Sequence, residues 1–260
     1  MKTKSLMAKL NKKFPKRTAE IYDFPGLQVG KLKDETNCVL LCLDFDEDVL
    51  NYVKENNLEN KIDLIITHHP FIFGKRKDVL SNDHIKNNLY SEMLTLNIPI
   101  YSFHTNFDTC KDGMNDALAE LLELENVRPL ISEPMARGGE LKEPMDVQDF
   151  AKYAIEKLKV DYGMLLNYGE KTINSVAIIG GGGWRRFDAA QLESYDIYIS
   201  GDIPHHGRRG VVARKYNYLD VPHEVENVFM EQMKKILSSF DDSIEILTIQ
   251  QEEFPQLICK

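Results

Sequence analysis

No CxxC pair occurs in the 260 residues, and only four cysteines are present: Cys38, Cys42, Cys110 and Cys259. Nothing therefore demands a disulfide framework or an all-thiolate zinc site, and a reducing cytoplasm fits. Long apolar runs are missing as well, since no stretch approaches the ~20 residues of a membrane span. Positive charge is in deficit, with 32 Lys and Arg against 41 Asp and Glu and a formal net charge of −9. That balance argues against affinity built on neutralising many nucleic-acid phosphates, while leaving room for a small phosphorylated ligand. The first twenty residues run the other way, with seven basic side chains and one acid, Glu20. They lack the apolar run of about 7–15 residues that marks a secretory signal, so an amphipathic first helix is expected there. Internal repeats and low-complexity tracts are also absent.

What is present is ordinary globular material, 43% hydrophobic and 28% charged, in a length sufficient for one large domain or two compact lobes. Short apolar runs alternate with helix-period segments, which predicts α/β architecture. Strands are expected over 38–43, 62–66, 98–103, 174–179, 196–200 and 243–249. Helices are expected over 46–56, 85–96, 114–124 and 147–158, with a last one starting near His223. Residues 125–146 contain Pro129, Pro134, Gly138, Gly139 and Pro144, and read as a connection between two lobes. Cys38 and Cys42 fall in an apolar run where buried thiols are common.

Six of the seven histidines stand in motif-like settings. His68 and His69 follow a strand, and His104 opens the segment His104-Thr105-Asn106-Phe107-Asp108 after another. His205 and His206 come soon after Gly201-Asp202 at a third strand end, and His223 stands at the start of the last helix. Only His84 reads as an ordinary surface residue. Ligands in open α/β sheets collect at strand C-termini, and imidazole with carboxylate suits zinc, iron, manganese, nickel or cobalt. His223 and Glu226, three apart, share a helix face. Asp108 has a plainer alternative as an acceptor of backbone N–H groups at a helix start. Gly180-Gly181-Gly182-Gly183 before Trp184-Arg185-Arg186 is either a phosphate cradle or a strand-to-helix turn. His205, His206, Arg208 and Arg209 form a cationic cluster that either binds an anion or is simply solvated.

In order along the chain, these segments resemble the NIF-three-like family of dinuclear-metal proteins, many of which carry the label GTP cyclohydrolase 1 type 2 homologue. Tyr22-Asp23-Phe24-Pro25-Gly26-Leu27-Gln28-Val29-Gly30 is similar to the family's W-D-N-x-G-L-Q-x-G. Leu43-Asp44, Thr67-His68-His69-Pro70 and His104 to Asp108 match its next elements. Arg137-Gly138-Gly139-Glu140-Leu141, Ser200-Gly201-Asp202 with the histidines after it, and Asp220-Val221-Pro222-His223 resemble its later ones. Pro222 departs from the family's usual glycine.

The resemblance implies two divalent metal ions per chain held by His68, His69, Asp108, His223 and Glu226, with Glu224 a remote alternative to Glu226. His104 is implied as a further ligand, an orienting partner, or a general base or proton shuttle. It also implies a single family domain over 1–260, α/β in class, with two lobes and mixed sheets. Lobe one would comprise 1–124 and 220–260, lobe two 135–219, and the metal site would sit at the strand C-terminal ends of lobe one, completed by the C-terminal helix. A homohexamer, a trimer of dimers, is implied too. Two functions stay open: a metal-dependent hydrolase of a nucleotide-like or phosphorylated small molecule, and a non-catalytic metal-binding, metal-delivery or partner-binding ring. An activity screen with added metals, controlled by His69→Ala, separates them.

Overall fold

A computed structural model describes residues 1–250 and 257–258, so Cys259 lies outside the described residues. The chain begins with α1 (Thr3–Lys13), an amphipathic helix that buries Leu6, Met7 and Leu10 and turns Lys4, Lys9 and Lys12 outward. Then come β1 (Gly26–Val29), β2 (Cys38–Cys42), α2 (Glu47–Glu55), β3 (Leu64–Thr67), α3 (Arg76–Asn82), α4 (His84–Leu96), β4 (Ile100–Ser102) and α5 (Thr105–Thr109). Two helix starts are written locally. Asp46 accepts from the Val49 N–H at 3.0 Å to open α2, and Asp83 accepts from Lys86 N–H at 2.9 Å to open α4, each occupying a donor the helix cannot satisfy itself. Asn97, in the left-handed region at φ 54, ends α4.

The middle of the chain supplies α6 (Met114–Leu121), β5 (Glu125–Pro129), β6 (Arg137–Asp146), α7 (Val147–Lys157), β7 (Met164–Asn167), β8 (Thr172–Ile178), α8 (Phe187–Leu192), β9 (Ile197–Ser200), α9 (His205–Ala213) and β10 (Asn217–Asp220). A 3-10 turn over His223–Asn227 leads into α10 (Val228–Phe240), and β11 (Glu245–Thr248) follows.

These elements form two compact units. Met1–Cys110 and Phe229–Gln251 make the first, and Lys111–Val228 lies in the second. The boundaries expected at 124 and 220 fall inside the second unit; near the first of them α6 packs on β6 and β8. The first unit carries a sheet in the order β1-β4-β3-β2-β11. In it β11, β2, β3 and β4 are parallel and β1 is antiparallel at one edge. Its Cys-Val-Leu-Leu-Cys and Leu-Ile-Ile-Thr strands are buried throughout, as expected of parallel strands covered on both faces. The second unit has the order β5-β6-β8-β9-β10-β7, with β8, β9 and β10 parallel and the outer strands antiparallel. Each sheet has its own core, one around Leu40, Ile65, Met93 and Ile100, the other around Ala177, Tyr198, Val211 and Tyr218. The fold is mixed α/β with two mixed sheets.

Two sequence expectations need correction. Residues 125–146 are not a linker: they form β5 and β6, paired antiparallel. The prolines sit where strands tolerate them, Pro129 at a strand end and Pro144 within the register shift between Glu140 and Met145. Gly138 and Gly139 are places of close approach, where a Cβ would strike the Tyr195 ring or come within 2.9 Å of the Glu125 carbonyl. The last helix does not begin at His223 either. The chain first makes the tighter 3-10 turn and becomes α-helical only at Val228.

Candidate metal-binding clusters

The register of the first sheet aligns Cys42, Thr67 and Ser102 across β2, β3 and β4. The residues leaving those strands therefore emerge side by side at their C-terminal ends. The backbone there is pinned. The His68 and His69 N–H groups both donate to the Leu43 carbonyl, at 3.1 and 3.0 Å, and Phe103 N–H donates to Thr67. The Thr67 hydroxyl donates to the His69 carbonyl at 2.7 Å and meets the Ser102 hydroxyl at 2.6 Å.

His68, His69 and His104 come together at this edge, with a ring nitrogen of each lying within 4.8 Å of those of the others. Each Nδ1 has a fixed acceptor: the Phe103 carbonyl at 2.8 Å for His68, Asp44 Oδ2 at 2.7 Å for His69, and Asp23 Oδ1 at 2.7 Å for His104. In the neutral ring, Nδ1–H donation of this kind puts the lone pair on Nε2. This is the arrangement that metal-ligating histidines use, the acceptor setting both tautomer and ring orientation. Asp23 is itself held by the Thr105 N–H at 3.1 Å and by the Thr105 hydroxyl. Burial works against its ionised form, yet the bonds from His104 and Thr105 outweigh that and hold its carboxyl below the usual value. Asp108, buried on α5, places Oδ1 3.6 Å from His68 Nε2. Capping at the start of α5 falls to other groups, since Asn106 accepts from His104 N–H and Asp23 from Thr105 N–H.

A second cluster lies in the other unit, again beyond the C-terminal ends of parallel strands. His223 Nδ1 donates to Asp202 Oδ2 at 2.6 Å, and its Nε2 lies 3.2 Å from Glu226 Oε2. Glu226 is buried. The negative charge of Glu226, with help from Asp202, raises the His223 imidazole to about 11, and the His223 bond holds Asp202 below its ordinary value. Two carboxylates on one imidazole form an anionic pocket that attracts a cation, and a divalent ion can take the place of the proton.

The glycine loop serves this cluster. Gly181 has φ +58, and a Cβ on it would collide with Glu226 Oε1 and lie 2.9 Å from His223 Nε2. A Cβ on Gly182 would lie 3.2 Å from Asp202 Oδ2. A loop backed by two carboxylates does not suit a phosphate, and the Gly180 and Gly183 N–H groups are already spent on Asn115 and the Gly181 carbonyl. His205 and His206 are exposed on the first turn of α9, where the His206 ring packs on Trp184 with centroids 5.1 Å apart. Neither of them, nor Glu224, enters a metal-type cluster among the described residues. Arg137 is structural: it is buried, paired with Asp116, and donates to the Pro134, Met135 and Ala136 carbonyls.

Sequence reading missed the roles of Asp23, Asp44 and Asp202. All three stand inside the motifs that were read, but only the tertiary arrangement shows which imidazole each one holds.

Known proteins resemble this chain along nearly its whole length. A protein of Streptococcus pneumoniae named GTP cyclohydrolase 1 type 2 homolog is 30% identical over 245 residues, covering 90% of each chain. One of the same name from Methanocaldococcus jannaschii is 32% identical, over 96% of this chain and 99% of its own. The crystal structure of a Bacillus cereus protein related to NIF3 superposes with a TM-score of 0.87 at 20% identity, covering 100% of this chain and 99% of that one. The family model for Duf34/NIF3 (NGG1p interacting factor 3) matches residues 1–255, and the chain belongs to that family.

Proposed function

We propose that the protein binds two divalent metal ions and uses them to hydrolyse a nucleotide-like or phosphorylated small molecule. The observation that carries the metal reading is the convergence of three imidazoles, a ring nitrogen of each within 4.8 Å of those of the others and each Nδ1 bonded to a carbonyl or carboxylate oxygen. The donor set fits a divalent transition metal, with imidazoles and carboxylates and no thiolate. His68, His69, His104 and Asp108 would hold metal in the first unit, and His223 and Glu226 in the second, the residues that the family resemblance implies. Bound ions would supply Lewis acidity toward a phosphoryl or carbonyl oxygen and a water acidified toward neutrality. The chain's own part is orientation: Asp23, Asp44 and Asp202 fix three rings, and the Thr67–Ser102 pair fixes the backbone beneath them. We assign His104 as an imidazole ligand in preference to a general base, because one of its ring nitrogens lies within 4.8 Å of ring nitrogens of His68 and His69 and its Nδ1 is bonded to Asp23.

Elemental analysis after loading with Mn²⁺, Zn²⁺, Fe²⁺ or Co²⁺ tests the reading. About two ions per chain are expected, fewer in His69→Ala and in His223→Ala, and a value near zero in the native chain refutes it. Phosphatase and nucleotidase turnover by the loaded protein, lost in His69→Ala, tests the hydrolytic half. Full metal content with no turnover across such substrates favours the metal-delivery or partner-binding alternative.

A further inference from the structure

Beside the three histidines, two phenylalanine rings stand in solvent. Phe24 is 41% exposed and Phe73 49%, and they meet edge to face with centroids 5.5 Å apart. Phe73 also lies edge-on to the His104 ring at 6.3 Å. Single exposed apolar side chains are commonplace on protein surfaces. This pair is distinguished by what holds it. Phe24 follows Asp23, which fixes the His104 ring, and donates its own N–H to that carboxylate at 2.7 Å. Phe73 lies four residues after His69, on a loop whose Phe71 and Ile72 are buried.

The buried Gln28 side chain joins the two loops. Its amide Nε2 donates to the Phe24 and Gly26 carbonyls at 2.8 and 3.0 Å, and its Oε1 accepts from the Ile72 N–H at 3.0 Å. A buried amide with all three bonds made is a rigid brace, because breaking any of them leaves a polar group unsatisfied. Gly26 completes the turn at φ +118, where a Cβ would run into the Lys16 side chain. The chain thus fixes two aromatic rings in water, where their exposure is unfavourable, at the margin of the imidazole cluster.

We propose that Phe24 and Phe73 form a stacking platform for a planar heteroaromatic ring, so that the ligand of the proposed metal site is a ring-bearing phosphorylated compound and not a simple sugar or alkyl phosphate. This deepens the reading under Proposed function and rests on it. The Phe73 ring centroid lies only 6.3 Å from that of His104, which lets a polar group attached to a ring stacked on Phe73 reach the histidines. Aromatic faces accept flat rings of varied sequence or substitution through dispersion and quadrupole contacts. Two rings are far too small to support a stable protein interface, which buries roughly 800 Å² per partner.

The test compares 1-naphthyl phosphate with methyl phosphate, which share the anionic group and differ in the ring, by calorimetry on the full-length metal-loaded chain. The native protein should prefer the naphthyl ester by about tenfold or more. Phe24→Ala and Phe73→Ala should lose most of that preference with methyl phosphate affinity and metal content unchanged, while Phe73→Trp keeps it. No preference in the native protein, or a preference that survives both alanine variants, overturns the proposal. A change of oligomeric state in the alanine variants with the preference intact also overturns it, assigning the pair to contact between copies. Elemental analysis on the same samples separates the two readings: loss of metal binding strikes the metal site, and a retained ring preference then still upholds the platform.

Discussion

At the scale of single residues, the chemistry lies in which nitrogen each imidazole offers. Asp44 and Asp23 hold His69 and His104 from behind at 2.7 Å, and Asp202 holds His223 at 2.6 Å. Replacing such an orienting carboxylate by its amide should keep the shape and loosen the grip. Asp44→Asn and Asp202→Asn should therefore weaken metal affinity by about 10–100-fold, read by competition with a chromophoric chelator, with the melting temperature of the metal-free protein little changed. Unaltered affinity in both variants would count against the orienting role. The histidine clusters were legible in the sequence because scarce histidines after strands are conspicuous. The orienting aspartates were not, since a chain with 41 acidic residues offers many carboxylates and only the fold selects three. The buried Gln28 brace was equally invisible, because its partners are backbone groups up to 44 positions away.

At the scale of elements, the 3-10 turn over His223–Asn227 decides which carboxylate accompanies His223. Side chains three apart eclipse in a 3-10 helix, so Glu226 stands over His223, whereas Glu224 and Asn227 do not. Glu226→Gln should lose at least one ion while the fold persists, and Asn227→Ala should keep the native metal content. Metal content that instead follows Asn227 reverses the assignment. Just before this turn, Asp220 at the end of β10 is pushed up to about 6, chiefly by burial. Folded chains hold its proton to about pH 6 and unfolded ones only to about pH 4. The folded state therefore binds more protons in that window and loses stability as pH rises through it. Asp220→Asn, whose amide oxygen can still accept from the Ile203 N–H, should stabilise the metal-free protein at pH 7.5 by about 1–2 kcal/mol once solvent screening is allowed for. That gain should vanish near pH 4 in denaturant titrations, and no gain at pH 7.5 would remove the basis of the argument. Strands such as β2 and β3 were readable as apolar runs. β5 and β6 were not, because exposure along β5 and the prolines and glycines of a bulged pair mimic a loop. The short 3-10 turn escaped because a single proline before a histidine signals a helix start without saying which kind.

At the scale of the whole molecule, the family resemblance implies six copies in a closed ring, a common outcome for soluble chains. Light scattering on the full-length protein should give about six times the chain mass, and a stable monomer at micromolar concentration rules the ring out without touching the metal clusters. The histidine motifs at both ends led to the expectation that the chain returns on itself. The places of crossing, Cys110 and Val228, were not legible, since no change of composition marks them. The parallel pairing of β11 with β2 has a temporal consequence. During synthesis the apolar Cys38–Cys42 strand waits with one edge open until Glu245–Thr248 is made. At ordinary elongation rates that delay is on the order of ten seconds. An unprotected apolar strand edge is a template for wrong partners, so the nascent chain is most vulnerable to aggregation after its first sheet has begun to form and before its last strand has left the ribosome.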